Sequence, residues 1–329
     1  MKGASRKRKL LKYAVAALAL IFLAACALVF IELWERQRGA FPEEDTAEET
    51  LSVDGREYRL EDGVETFLVL GLDKFDGTEM ADSYNNDKQS DFIMLLAFDN
   101  RERTCTAINI SRDTMANVNV LGVAGNRVDT LKKQIALAHT YGNGRDVSCR
   151  NVADSVSDLL LGVKVNHYAS LTLDSVTVLN DLVGGVEVTV LDDFTGIDET
   201  LKVGESVLLT GDHALNYVRT RYGLDDSTNS NRMKRQEQYV NALYAKFKGC
   251  AEEDDGFIVN AATELSDHMI SDRSVTQLEE LAKKIEEYEF KGIVSVEGES
   301  RIGEEYVEFY PDEAALEKLV ADVFYEPVA

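Results

Sequence analysis

The chain has 329 residues, 45% of them hydrophobic and three of them proline, which is enough apolar material for one large globular core or two. Its formal net charge is -24, a field that repels nucleic acid and argues against that class of partner. Any anion it binds must be caught in a local basic pocket, and the surplus of carboxylates favours a divalent cation.

Residues 1–12 carry Lys2, Arg6, Lys7, Arg8, Lys9 and Lys12 and no acid. The run Tyr13 to Ile31, "YAVAALALIFLAACALVFI", follows without a charge. A bilayer core takes roughly 20 apolar residues as a helix, so residues 13–34 are expected to form a transmembrane helix. The positive-inside rule places residues 1–12 in the cytoplasm and the remainder outside the cell. "LAAC" at Leu23 to Cys26 also resembles a lipoprotein cleavage box, the alternative being a lipidated Cys26, although the apolar run continues past it. Residues 35–60 are polar and acidic and read as a stalk, leaving 61–329 as the extracellular domain.

Strands and helices then alternate. "TFLVLGLD" (66–73) and the almost wholly apolar "DFIMLLAFD" (91–99) read as strands, the second buried on both faces. "TCTAINISRD" (104–113) is the next strand. "DTLKKQIALAHTYG" reads as a helix ending at Gly142, and "NVADSVSDLLLG" as one presenting Val152, Val156, Leu159 and Leu160 on one side. Strands "HYASLTLD" and "VEVTVLDDF" flank a helix "DSVTVLNDLVGG". "GDHALNYVR" is a short helix, and Asn231 to Phe247 a longer one with Tyr239, Val240, Leu243 and Phe247 as its apolar stripe. A helix "SVTQLEELAKKIEEYEF", a strand "EEYVEFY" and a helix "DEAALEKLVADVF" complete an α/β layered domain around a central sheet.

Three places carry candidate chemistry. Asp73 closes one strand and Asp91 opens the next, so antiparallel neighbours would bring the two carboxylates to one sheet edge, a site suited to Mg²⁺; both are also ordinary strand-end acids. In "ISRDTM", Arg112 offers a planar fork for phosphate and Asp113 a partner to orient it, or the two form a plain ion pair. In "NYVRTRYGLDDSTNSNRMKRQ", Arg219 and Arg221 alternate to one side of an extended linker, with Asn229 or Ser230 able to cap the helix that follows. Arg232, Arg235 and Gln236 then fall in its first turns, where basic groups do not help a helix and anions bind well. The alternative is a solvated loop balanced by Asp225 and Asp226. The scattered His139, His167, His213 and His268 give no zinc pattern, nor do Cys105, Cys149 and Cys250, between the last two of which a disulfide is possible.

Taken together, "LVLGLD", "SDFIMLLAFD", "INISRDT", "GVKVNHYASLTLDSVTVLNDLVGGVEVTV", "LTGDHALNYVRTR", "NRMKRQEQ" and "YVEFYPDEAALEKLVADVF" resemble the LytR-CpsA-Psr family over roughly residues 64 to 325. The resemblance implies an α/β/α layered domain with a central mixed sheet and an apolar tunnel, tethered to the cell membrane by one N-terminal helix. It implies a phosphotransferase of cell wall biogenesis, which moves an anionic glycopolymer such as teichoic acid or capsule from a polyprenyl-pyrophosphate carrier to peptidoglycan through a phosphodiester. By position, Asp73 and Asp91 would hold Mg²⁺, Arg112 with Asp113 would act at the pyrophosphate, and Arg219, Arg221, Arg232, Arg235 and Gln236 would bind it. Two departures stand out: Gln89 where the family usually has Arg, and Asn229 where it usually has Asp. They leave room for reduced activity or for a non-catalytic membrane regulator that binds the lipid carrier; a separate alternative is a polyprenyl-pyrophosphate pyrophosphatase, with water in place of the sugar acceptor. The apolar residues of the helices around Val152 and from Tyr239 are candidates for the tunnel wall or for plain core.

Overall fold

The computed structural model describes residues 50–53, 55–72, 88–220, 229–254, 256–303 and 306–328. Residues 1–12, the expected transmembrane helix at 13–34, most of the stalk, Asp73, Arg221, Asp225 and Asp226 lie outside them. Among the described residues no helix is long and apolar enough to cross a membrane.

Apolar runs make the centre of a six-stranded mixed sheet, in the order β11-β8-β3-β4-β5-β12. These are β3 (Val64–Leu72), β4 (Ser90–Asp99), β5 (Thr104–Ile110), β8 (His167–Thr172), β11 (Met269–Ser271) and β12 (Glu289–Ser295). The neighbours of β4 run antiparallel to it, while β3 pairs with β8, and β5 with β12, in parallel. The strand period of two divides their side chains between two faces. Leu68, Leu70, Ile93, Leu95, Ile108 and Ile110 pack on one face against helices α1 (Asp146–Leu159) and, near the C-terminus, α7 (Glu313–Phe324). Phe67, Phe98 and Cys105 lie on the other, under α6 (Val275–Glu287). The result is the layered α/β arrangement around a central sheet that the element order implies, and the sheet is mixed, as the family resemblance implies.

A second core gathers α2 (Asp174–Leu182), the hairpin β9 (Val186–Thr189) with β10 (Ser206–Leu209), α3 (Asp212–Arg219), the long α4 (Asn229–Glu253) and α5 (Phe257–Leu265). Cys149 is buried in the first core and Cys250 half-buried beside the second, each as a free thiol.

Two regions differ from the sequence reading. Residues 129–142 are not one helix. β6 (Met115–Leu121) and β7 (Arg127–Gln134) form an antiparallel hairpin, and only Ile135–Thr140 coils, as a 3₁₀ turn. The hairpin turns through "GVAGN", where Gly125 adopts φ 75, a left-handed conformation that favours glycine. The second difference is in the stalk. Residues 50–60 contribute β1 (Thr50–Val53) and β2 (Arg56–Leu60), and β2 pairs with β15 (Tyr325–Pro327) from the far end of the chain. That partner is remote in sequence, so the local pattern does not reveal it.

Candidate functional site at the polar end of an apolar cavity

After β5 the chain turns through Ser111–Thr114. The Thr114 amide donates to Ser111 O at 3.0 Å, and the Asp113 amide to Ser111 Oγ at 3.3 Å. Two neighbours clamp the turn: Phe309 N, in strand β14 (Val307–Pro311), donates to Asp113 O at 2.9 Å, and Ala136 N to Arg112 O at 3.2 Å. The backbone that carries Arg112 is thus held from both sides.

The Arg112 side chain, 14% exposed, is held just as closely. Its guanidinium pairs with the Asp91 carboxylate and donates to Gln89 Oε1, and its Nε lies 3.6 Å from Asp113 Oδ1. Asp113 is 2% exposed and accepts from Gln134 Nε2 at 2.9 Å, the same amide donating to Val307 O at 2.8 Å. Asp113, almost fully buried, therefore sits behind Arg112 and orients it.

Helix α4 brings the second arginine. Asn229 Nδ2 donates to Ser111 Oγ at 2.8 Å, and Asn229 Oδ1 accepts from Arg232 Nη2 at 2.6 Å. Arg232 Nη2 also lies 3.3 Å from the main-chain oxygen of Asp91. Gln236, one turn on, donates to Val218 O at 3.2 Å. Arg219 is exposed in the last turn of α3, where a cation suits the helix dipole.

Asp91, Arg219, Arg232 and Gln236 line one cavity of about 380 Å³. It lies between the second face of the sheet and α4. Val69, Phe92, Met94 and Leu96 form its floor, and Tyr239, Val240, Leu243 and Phe247 form the wall opposite. The stripe from Tyr239 thus lines the cavity, whereas Val152 is fully buried in the first core. The strand register sets the direction. Gly71 pairs with Phe92 at the charged end, where a Cβ on residue 71 would come within 2.8 Å of Phe92 Cβ. Cys105, opposite Phe98 and beside Phe290, marks the other end. Burial pushes the Cys105 thiol up to about 12, so it remains a neutral wall residue.

Arg235 departs from expectation. It is 1% exposed, and its guanidinium turns away from the cavity into the second core, 2.8 Å from Asp192. It donates to Tyr217 O at 2.5 Å and lies 5.3 Å from the centre of the Phe194 ring. Burial lowers its pKa, while the Asp192 charge opposes that shift. The three-residue step from Arg232 to Arg235 crosses the boundary between cavity and core. The structure gives Arg235 a packing role in place of the anion-binding role expected of it.

Asp91 is a hard oxygen donor at the charged end, and among the described residues no three His, Cys, Asp or Glu side chains cluster as a metal cage. That chemistry fits Mg²⁺, which keeps several waters and uses one or two carboxylates.

The model of the LytR_cpsA_psr family matches residues 36–322. This chain belongs to that family. It is 31% identical over 172 residues to the cell wall biosynthesis protein LcpA of Corynebacterium glutamicum, covering 47% of the chain and 32% of LcpA. It is 25% identical over 215 residues to the polyisoprenyl-teichoic acid–peptidoglycan teichoic acid transferase TagU of Enterococcus faecalis, covering 65% of the chain and 63% of TagU. The matched region thus spans from about a third to under two thirds of these relatives' own length. The fold also matches solved structures. Bacillus subtilis TagV aligns with a TM-score of 0.58 at 22% identity, over 80% of this chain and 97% of TagV. TagT bound to LIIa-WTA aligns at 0.59 and 21%, over 80% of this chain and 91% of TagT.

Gln134, Ser111 and Asn229 are further polar residues that help hold the arginines in place, Gln134 through Asp113 and Ser111 through Asp113 and Asn229. Ser111 lies inside a motif read from the sequence. Gln134 is reached only through the β6–β7 hairpin and the distant β14, and its local sequence gives no signal.

Proposed function

We propose that this protein transfers an anionic glycopolymer from a polyprenyl-pyrophosphate carrier to peptidoglycan, forming a phosphodiester. The observation that carries this reading is the cavity: an apolar slot fit for a prenyl chain, ending at Arg219, Arg232, Gln236 and Asp91. An amphiphile with an anionic head and a hydrocarbon tail matches both ends at once. The names of the TagU and LcpA relatives point to the same polymer class and to the cell wall.

In the reaction, a sugar hydroxyl of peptidoglycan attacks the phosphorus that bears the glycopolymer. The bond from that phosphorus to the bridging oxygen breaks, polyprenyl phosphate leaves with the electron pair, and the hydroxyl proton passes to solvent. Such a step asks the protein mainly for positioning and for neutralisation of charge on the phosphate oxygens. Arg232 and Arg219 meet those oxygens at the cavity end, with Arg221 expected to join them. Arg112, fixed by Asp91, Gln89 and Asp113, presents a planar cation to the reacting phosphoryl group. Asp91, with Asp73, would hold Mg²⁺, which supplies further neutralisation of phosphate charge when bound. Residues 13–34 would anchor the domain on the outer face of the cell membrane, where carrier and acceptor both lie.

The test combines the full chain in detergent with a lipid-pyrophosphate-linked glycan, peptidoglycan and Mg²⁺. Covalent transfer to peptidoglycan is expected, and Arg112→Ala should lower its rate about 10²–10³-fold, as when one charge-stabilising donor is lost. Release of free phosphorylated glycan would instead make the protein a pyrophosphatase, with water as acceptor. Binding without turnover would make it a carrier-binding regulator. Either result overturns the proposal.

A further inference from the structure

Two arginines of the site stand on separate elements, Arg112 on the turn after β5 and Arg232 on the first turn of α4. Nothing in the backbone ladder of the sheet joins those two elements. Asp91 touches both arginines, its carboxylate pairing with Arg112 and its main-chain oxygen facing Arg232, and one further side chain ties the two elements directly. Asn229, 6% exposed, donates through Nδ2 to Ser111 Oγ at 2.8 Å and accepts through Oδ1 from Arg232 Nη2 at 2.6 Å. Ser111 Oγ in turn receives the Asp113 amide at 3.3 Å, and Asp113 lies 3.6 Å from Arg112 Nε.

We propose that Asn229 is a positioning residue that fixes the Arg232 guanidinium at the cavity end, so that it and Arg112 engage one pyrophosphate together. This rests on the functional reading above and adds to it a residue that acts only through Arg232. The amide suits the place because it can donate on one side and accept on the other. An aliphatic residue there removes the shorter contact to Arg232 and leaves the longer one to the Asp91 main-chain oxygen at 3.3 Å, so a long side chain with many rotamers is held less closely in the productive geometry. A carboxylate keeps the acceptor for Arg232, and the Ser111 hydroxyl can rotate to donate to it. The residue touches the arginine, not the ligand, so its effect should appear only with a charged headgroup.

The test measures binding of farnesyl pyrophosphate and of uncharged farnesol to the full chain in detergent. Asn229→Ala is expected to weaken farnesyl pyrophosphate about 10–100-fold, the range for a lost hydrogen bond to a charged group. Farnesol affinity and the thermal midpoint should stay near those of the parent. Asn229→Asp should restore pyrophosphate binding to within a few-fold, which also guards against a folding failure of the alanine variant. The double variant with Arg232→Ala should bind no more weakly than Arg232→Ala alone, since coupled residues do not add. Equal pyrophosphate affinity in parent and Asn229→Ala overturns the inference and leaves the proposed function standing. So does an equal fall in farnesol affinity, or full additivity with Arg232→Ala. A parent chain that binds farnesol but not farnesyl pyrophosphate removes the functional reading, and this inference with it.

Discussion

The two faces of the central sheet are made by the same strands and finished differently. Leu95 and Leu96 are adjacent in β4 and chemically identical. Leu95 pairs across the sheet with Leu68 and Ile108, all three fully buried beneath α1. Leu96 pairs with Phe67 and Ala107 and faces the cavity. On the first face α1 buries eight residues, Cys149, Val152 and Val156 among them. On the second, α6 buries none completely. Interiors normally pack to crystal density, so the apolar void under this second face is better explained as room for a ligand than as loose folding. The comparison separates what holds the fold from what the fold holds.

The largest expected effect tests that separation. Leu95→Ala should cost about 3–5 kcal/mol, because it removes a fully packed side chain and leaves a closed hole. Leu96→Ala should cost about 1 kcal/mol, since the space it vacates joins a cavity already present and only part of its transfer energy is lost. Denaturant unfolding of the two variants reads the difference, and similar losses would mean that the second face is as tightly closed as the first.

Next in size is a pH effect confined to the packed face. His139 is fully buried, donates through Nδ1 to Lys88 O at 2.9 Å, and has Nε2 3.9 Å from Cys149 Sγ. Burial lowers its pKa from 6.5 to about 4, and raises that of the Cys149 thiol to about 12, so both are neutral in the folded protein near pH 7. The unfolded imidazole takes up a proton below about 6.5 while the folded one does not until about 4. Stability from this residue is therefore complete above pH 6.5 and lost as pH falls toward 4. At about 1.4 kcal/mol per pH unit the loss approaches 3 kcal/mol. His139→Gln should flatten the stability profile between pH 6.5 and 4, and an unchanged slope would place the acid sensitivity elsewhere.

Filling the void tests the other face. Val240→Trp places a large ring in the cavity wall, one helical position from Tyr239. Prenyl-chain binding should weaken at least about tenfold, or 1.4 kcal/mol, with the folded state retained. Farnesol binding by fluorescence titration checks it, and unaltered affinity would mean that the prenyl chain lies somewhere else.

Much of this contrast could be read from the chain, though not all of it. The central strands were legible because near-continuous apolar runs suit a sheet covered on both faces. Of the charged residues the sequence singled out, Arg112 meets Asp91 and Arg232 reaches the Asp91 main chain, while Asp73 and Arg221 lie outside the described residues. The tunnel wall was not separable from core, because Val152 and Val240 carry the same helical periodicity and differ only in what lies opposite. Arg235 was misplaced for a related reason, since helical spacing gives the angle of a side chain but not which of two compartments it enters. "DTLKKQIALA" misled because Leu131, Ile135 and Ala138 keep a helical step. The competing signal was the glycine-rich turn at Gly122 and Gly125, with "MANVNV" alternating before it.

The smallest expected effect concerns how α6 is held over the far end of the cavity. With no fully buried residue, this helix relies on its ends and on side contacts. Ser274 and Gln277 form a reciprocal capping box at its start. Lys284 pairs with Glu65 at 2.5 Å, and the Tyr244 hydroxyl donates to Ile285 O at 3.2 Å. Ala282 and Ile285 line the cavity, so opening this helix would open the wall itself. Ser274→Ala should cost about 1 kcal/mol, the usual value of an N-cap, and that loss should fall on α6 rather than on the whole fold. Hydrogen exchange separates the two outcomes: amides in α6 should exchange about five-fold faster, while those of α1 keep their protection. Equal acceleration in both helices would mean that the two faces of the sheet unfold as one unit, and that the cavity wall has no independent freedom to admit a lipid.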